Sequence, residues 1–180
     1  MSRELVLYIA MSLDGYIAKK DGGVDWLKGL EETSDGDPNF STFYDSIDTV
    51  LMGRKTYEQI VHDLSPDKWV YKGKDALVVS RGNYKDDEDV RFVGDDFPKM
   101  IRALKEQDGK DIWLIGGSEL ILSAQKENLI DRFIVTIIPS LLGVGIPLFK
   151  EIDKETLLRP CKMIEFDGMV QITYEKRGKK

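Results

Sequence analysis

The stretch Asp111-Ile112-Trp113-Leu114-Ile115-Gly116-Gly117-Ser118-Glu119-Leu120-Ile121-Leu122 constrains the fold more than any other. Ile112 to Ile115 is a short, almost wholly apolar run, the pattern of a strand covered on both faces. Two glycines interrupt it, and from Ser118 onward Leu120, Ile121 and Ala124 take helical spacing. A buried strand that turns through glycine into a helix leaves backbone N–H groups free at the positive end of the helix dipole. Such a joint is a ready anion site, commonly for a nucleotide phosphate. Taken alone, Gly116-Gly117 is equally what a tight turn requires.

The same joint occurs earlier. Thr49-Val50-Leu51-Met52 reads as a buried strand that runs into Gly53-Arg54-Lys55-Thr56, which opens a helix carrying Tyr57, Ile60 and Val61. Two such joints from parallel strands of one sheet would face the same crevice, since ligands gather at the carboxyl ends of the strands. Further strands are expected at 5–11, 76–80, 90–93 and 133–138, with Tyr16-Ile17-Ala18 continuing into a loop. Asp37-Pro38 has the form of a helix start, followed by an apolar face at Phe40, Phe43, Tyr44 and Ile47. Phe97, Met100, Ile101 and Leu104 mark another amphipathic helix, stopped by Gly109. Residues 139–149 read as a glycine- and proline-punctuated loop. Two runs at 161–166 and 169–176, parted by Asp167-Gly168, close the chain as a hairpin. Strands alternating with helices, then strands without them, predict one α/β domain over 1–180, with a mostly parallel sheet and an antiparallel edge.

Composition narrows the function. The net charge of −6 comes without any basic block beyond the last five residues, which argues against nucleic acid as a partner. No apolar run approaches a membrane span, and Met1-Ser2-Arg3-Glu4 lacks a signal-peptide core, so a cytoplasmic protein is expected. One cysteine, Cys161, and one histidine, His62, exclude an internal disulfide, a zinc site or a Ser-His-Asp triad. An enzyme built from these residues would leave the difficult chemistry to a bound cofactor.

The order and spacing of Ala10-Met11-Ser12-Leu13-Asp14-Gly15-Tyr16-Ile17-Ala18, Trp26, Met52-Gly53-Arg54-Lys55-Thr56-Tyr57-Glu58, Val78-Val79-Ser80-Arg81 and Ile115-Gly116-Gly117 resemble the dihydrofolate reductase-like superfamily over nearly the whole chain. The loop Pro139-Ser140-Leu141-Leu142-Gly143-Val144-Gly145-Ile146-Pro147-Leu148-Phe149 resembles the reductase domain at the C-terminal end of bifunctional riboflavin-biosynthesis deaminase-reductases, without the deaminase's zinc signature. The resemblance implies a three-layer α/β/α sandwich, NADPH as cofactor, and a small heterocyclic substrate such as 5-amino-6-(5-phosphoribosylamino)uracil. The alternatives are a dihydrofolate or other pterin reductase, and a non-catalytic nucleotide-binding module.

Carried over by position, Gly53, Arg54, Lys55 and Thr56 would hold phosphates of the cofactor, and Ser80 and Arg81 its adenosine 2′-phosphate. Gly116, Gly117, Ser118 and Glu119 would wrap the pyrophosphate. Ala10 and Ile17 would line the nicotinamide pocket, with the Asp14-Gly15 turn beginning a mobile loop over it, and Thr136 would border the substrate. Asp37 is the candidate catalytic carboxylate, and is also readable as a helix cap. Trp26 is core or substrate wall. Arg3, Lys19, Lys20 and Lys28 are the cations available for a substrate phosphate. No metal site is expected. A homodimer is expected, because no later helix covers the closing hairpin with Cys161, Met163, Ile164, Phe166, Met169, Val170 and Ile172.

Overall fold

A computed structural model describes residues 3–27, 36–82, 84–94 and 96–178. Its strands are β1 (Leu5–Ser12), β2 (Tyr16–Ala18), β3 (Ile47–Gly53), β4 (Asp75–Val79), β5 (Val90–Val93), β6 (Asp111–Gly116), β7 (Arg132–Ile138), β8 (Ile146–Pro147), β9 (Leu158–Phe166) and β10 (Met169–Lys176). The helices are α1 (Phe40–Ser46), α2 (Arg54–Gln59), α3 (Phe97–Glu106) and α4 (Ser118–Lys126). A 3-10 turn covers Asp25–Leu27, and α2 widens into a π turn over Ile60–Leu64.

Eight strands form one sheet in the order β5-β4-β3-β6-β1-β7-β10-β9. Every pairing from β5 to β7 is parallel, and β10 and β9 add the antiparallel hairpin. The apolar runs expected of strands covered twice are covered twice. Alternation sends Leu5 and Leu7 to the face packed by Phe97, Ile101, Leu104, Ile121 and Ala124 of α3 and α4. Val6 and Tyr8 go to the opposite face, with Phe43 of α1 and Ile60. The result is the expected three-layer sandwich, with its core split by the sheet into two.

Four details differ from the sequence reading. Ile47 opens β3, fully buried, rather than closing the helix face of α1. α3 ends at Glu106 with Gln107 extended, two residues before Gly109. Gly109 (φ +154) instead serves a close approach, since a Cβ there would lie 2.6 Å from Asp48 Oδ2. Arg3 sits at the amino end of the sheet, buried, donating to Asp48, to Thr49 Oγ1 at 2.6 Å and to the Lys110 carbonyl at 2.6 Å. That places it at the wrong end for a substrate phosphate, and it works as an anchor for the edge of the core. Lastly, Tyr16–Ala18 is a strand, pairing with Ile146–Pro147 inside the segment read as loop. No helix among the described residues is long and apolar enough to cross a membrane.

Candidate functional site

The carboxyl ends of β4, β3 and β6 lie side by side, which brings the two glycine joints and Ser80-Arg81 to one edge of the sheet. Met52 is in register with Gly116. A Cβ built on Gly53 would stand 3.9 Å from Gly117 N, and one on Gly117 3.5 Å from Thr56 Oγ1. The joints therefore touch. Gly116 carries the positive φ (+143), whereas Gly117 is extended at φ −81 with room around it. The conformational demand for glycine thus falls on Gly116, not on Gly117. In the first turn of α4, Leu120 and Ile121 donate back to the Gly117 carbonyl at 3.0 and 3.2 Å. The earliest N–H groups of a helix have no partner within it, and here they open on the crevice edge.

Cations ring this edge. Arg54 pairs with Glu58 at 2.5 Å, and its guanidinium carbon lies 6.0 Å from the centre of the Tyr84 ring. Donation to Glu58 raises the Arg54 pKa further, so its charge is permanent. Lys55 is exposed on the same turn. Ser80 and Arg81 line a cleft of about 220 Å³ together with Tyr84 and Phe92, whose rings stack at 5.0 Å. Glu119 points its exposed carboxylate at Lys150. That hydrogen bond holds the Glu119 carboxyl below its ordinary range, and Lys126 and Arg81 add to the effect. Lys150 was missed in the sequence because it lies 31 positions away from its partner. Its presence neutralises a carboxylate that would otherwise repel phosphate.

Ala10 pairs with Thr136 across β1 and β7, and Thr136 pairs with Gln171 across β7 and β10. Paired residues of adjacent strands share a face, so all three lie on the side of the sheet that carries Tyr8 and α1. Ile17 packs from the opposite side, against the α3–α4 core. The Asp14-Gly15 turn is tied to the segment that follows β7. Asp14 accepts from Ser12 Oγ at 2.6 Å and from the backbone of Leu142 and Gly143 at 3.1 and 2.7 Å. The Ser12 hydroxyl first, and those two N–H groups after it, hold the Asp14 carboxyl below its usual range. Lys19 pairs with Asp25 at 2.7 Å, and Lys20 lies beside it on an open groove with Leu142 and Val144. Lys28 lies outside the described residues. Trp26 is half-buried, its indole N–H enclosed without a partner among the described residues.

Asp37 is not the helix cap. Asn39 holds that position, and no side chain caps α1. The Asp37 carboxylate instead enters a polar cluster under the sheet. Oδ1 accepts from the Asn39 N–H at 2.8 Å, and Oδ2 from the Tyr8 hydroxyl and from Gln171 Nε2, the latter at 2.5 Å. Gln171 Nε2 also lies 3.0 Å from Thr136 Oγ1, and Asn39 Nδ2 donates to Gln171 Oε1 at 3.1 Å. Lys162 completes the cluster by donating to Asn39 Oδ1 at 2.8 Å. Burial first, then donation to Asp37, pushes the Tyr8 phenol well above its ordinary range, so it remains a donor at any physiological pH. The structure thus joins Asp37 to Thr136, and adds Tyr8 and Gln171, which sequence reading overlooked. Two signals were present: Tyr8 lies two residues before Ala10 on the same strand face, and Gln171 interrupts an apolar run. A row of rings in contact, from Tyr8 through Trp113, Tyr71, Trp69, Tyr57 and Phe92 to Tyr84, spans the distance to the cleft at Arg81.

Strand order, layers and glycine joints define the dihydrofolate reductase-like fold. Dihydrofolate reductase from Enterococcus faecalis, solved with NADP(H), matches with a TM-score of 0.65 over 99% of this chain and 100% of that one; at 19% identity the likeness is one of fold. Within that fold the chain belongs to the RibD C-terminal domain family, whose profile matches residues 3–172. It is 45% identical to the uncharacterized protein YwjB of Bacillus subtilis (strain 168), over 97% of this chain and 98% of that one. A putative riboflavin biosynthesis protein from Shewanella sp. PV-4 is 30% identical, with a TM-score of 0.85 over 99% of this chain and 100% of that one.

Proposed function

We propose that this protein is an NADPH-dependent reductase of the riboflavin-biosynthesis type, acting on 5-amino-6-(5-phosphoribosylamino)uracil or a related small heterocycle. The observation that carries the reading is the meeting of Arg54, Arg81 and the two glycine joints at one edge of the sheet. A 2′-phosphate requires charge-assisted donors, and a pyrophosphate requires backbone N–H groups with no side chain in the way; both are available there. The NADP(H) bound by the Enterococcus faecalis neighbour supports the same assignment. The cofactor would supply the hydride. The chain's own residues would orient it: Arg81 and Ser80 at the adenosine end, Gly53–Thr56 and Gly116–Glu119 along the phosphates, and Ala10 at the nicotinamide, with Ile17 on the other face of the sheet. Thr136 and Asp37 would face the substrate. The test is NADPH oxidation against a panel of the pyrimidine intermediate, dihydrofolate and dihydropterins. Turnover of the first is expected. Turnover of folates alone would move the assignment to a pterin reductase, and cofactor binding with no turnover to a non-catalytic module.

We also propose that two copies pair through the hairpin. β9 forms the outer edge of the sheet, with Cys161 exposed and Met163 70% exposed. An uncovered edge with apolar side chains invites pairing, and a symmetric partner is the usual cover. Light scattering at micromolar concentration should give twice the mass of one chain. A single-chain mass that holds across dilution and salt would rule the pairing out.

A further inference from the structure

The carboxylate of Asp37 is more fully occupied than one waiting for substrate. Two carboxylate oxygens offer about four acceptor directions in all. Oδ2 uses both of its own, for Tyr8 and Gln171, and Oδ1 uses one, for the Asn39 N–H. Among the described residues a single direction remains unclaimed, on Oδ1. A planar edge with two parallel donors needs one free direction on each oxygen, as in the paired carboxylate contact made by a guanidinium. This carboxylate cannot offer that without giving up an internal bond.

We infer that Tyr8 determines the substrate class of this site, by filling Oδ2 so that Asp37 accepts one donor from a substrate and rejects a two-donor, amidine-like edge. The inference rests on reading Asp37 and Thr136 as substrate-facing, and so on the reductase assignment. Tyr8 is hard to displace. Its ring stacks on Phe43 at 4.2 Å, and its backbone carbonyl accepts the Trp113 indole N–H at 3.0 Å. Only 8% of the residue is exposed, so a hydroxyl turned away from Asp37 would lose its acceptor inside the core. Asp37 has no ion-pair partner among the described residues, and the Lys162 ammonium is engaged with Asn39. The one open direction therefore suits a neutral N–H or O–H donor or a positively charged one, and a phosphate would be repelled.

Removing one oxygen atom tests this through a gain rather than a loss. The probes are 2,4-diaminopyrimidine, which once protonated at N1 presents N1–H and the 2-amino group as two parallel donors, and 4-aminopyrimidine, which has no amino group beside N1. Both are titrated calorimetrically into the full chain, as wild type and as Tyr8→Phe. Wild type should bind the two within about twofold of each other. Tyr8→Phe frees one direction on Oδ2 and should tighten the diamino probe about tenfold, the worth of a hydrogen bond to a charged group, while leaving the monoamino probe unchanged. The gain should vanish in Tyr8→Phe/Asp37→Asn. A purely structural role for Tyr8 would shift both probes alike. Wild-type preference for the diamino probe by tenfold, or no selective gain in Tyr8→Phe up to the solubility limit, overturns the inference. NADPH titrated in parallel reads the reductase assignment separately: its failure to bind wild type would refute that assignment, while the probe ratio would still decide the role of Tyr8.

Discussion

The edge formed by β4, β3 and β6 and the cluster beneath β7 and β10 are built by opposite means. At the first, the groups offered to a ligand are backbone N–H groups, small residues and exposed cations. At the second, Tyr8, Thr136 and Gln171 are each less than a tenth exposed, and their hydrogen bonds join strands to the segment before α1. An open edge can lose affinity without losing stability. A closed polar cluster cannot lose a member without leaving its neighbours unpaired in the core.

That contrast breaks most readily at Gln171. Gln171→Ala removes one amide that serves Tyr8, Asp37, Thr136 and Asn39, and should cost about 3 kcal/mol or more of stability, read as a shift in the urea midpoint. NADPH affinity should stay within twofold. A loss of affinity matching the loss of stability would show the two regions to be one. Arg81→Ala is the mirror experiment: NADPH affinity should fall by about 1.5–3 kcal/mol, roughly ten- to a hundredfold, with NADH and the urea midpoint unchanged. An equal loss for both cofactors would sink the 2′-phosphate assignment.

Within the open edge, the two glycines should separate. Gly116→Ala places a side chain at φ +143 and should cost about 1–3 kcal/mol in stability. Gly117→Ala, extended and uncrowded, should leave stability nearly intact while weakening NADPH, because its methyl meets the approaching phosphate rather than the protein. Unchanged NADPH binding would reduce Gly117 to a turn. The smallest effect is expected at Asp14. Its carboxyl is held below the ordinary aspartate value of about 3.9, so the clasp on Leu142 and Gly143 is complete above that pH and is lost as pH falls through the lower folded value. Amide exchange at Leu142 and Gly143, corrected for intrinsic pH dependence, should speed up only below that range. Asp14→Asn should show the faster exchange at neutral pH.

The open edge was legible in the sequence, and the cluster was not, for one physical reason. A strand–glycine–helix joint is local: strand, glycine and helix follow one another within a dozen residues, so Gly53 and Gly116-Gly117 announce themselves. The parallel strands were legible too, since burial on both faces leaves continuous apolar runs at β3, β4 and β6. Gln171 and Tyr8 meet across 163 positions, and no local pattern records that meeting. Asp37 shows the limit most plainly. Its neighbour Pro38 gives it the form of a cap, yet the helix starts later, at Phe40, and tertiary partners claim the carboxylate. The pairing of β2 with β8 escaped notice likewise, because strands of three and two residues are too short to show a period.

The place of β1 in the sheet has a consequence for the chain's birth. β1 is made early, but its sheet neighbours are β6 and β7; the nearest contact, from Glu4 to Asp111, spans 107 residues. At about 5–20 residues per second, a ribosome needs on the order of 5–20 s to cover that interval. Throughout it Leu5, Val6 and Leu7, which end with no surface exposed, have no strand to pair with. β3, β4 and β5 are neighbours both in sequence and in space, so they can assemble first and wait. The nascent chain therefore carries its future central strand unpaired until β6 and β7 have emerged.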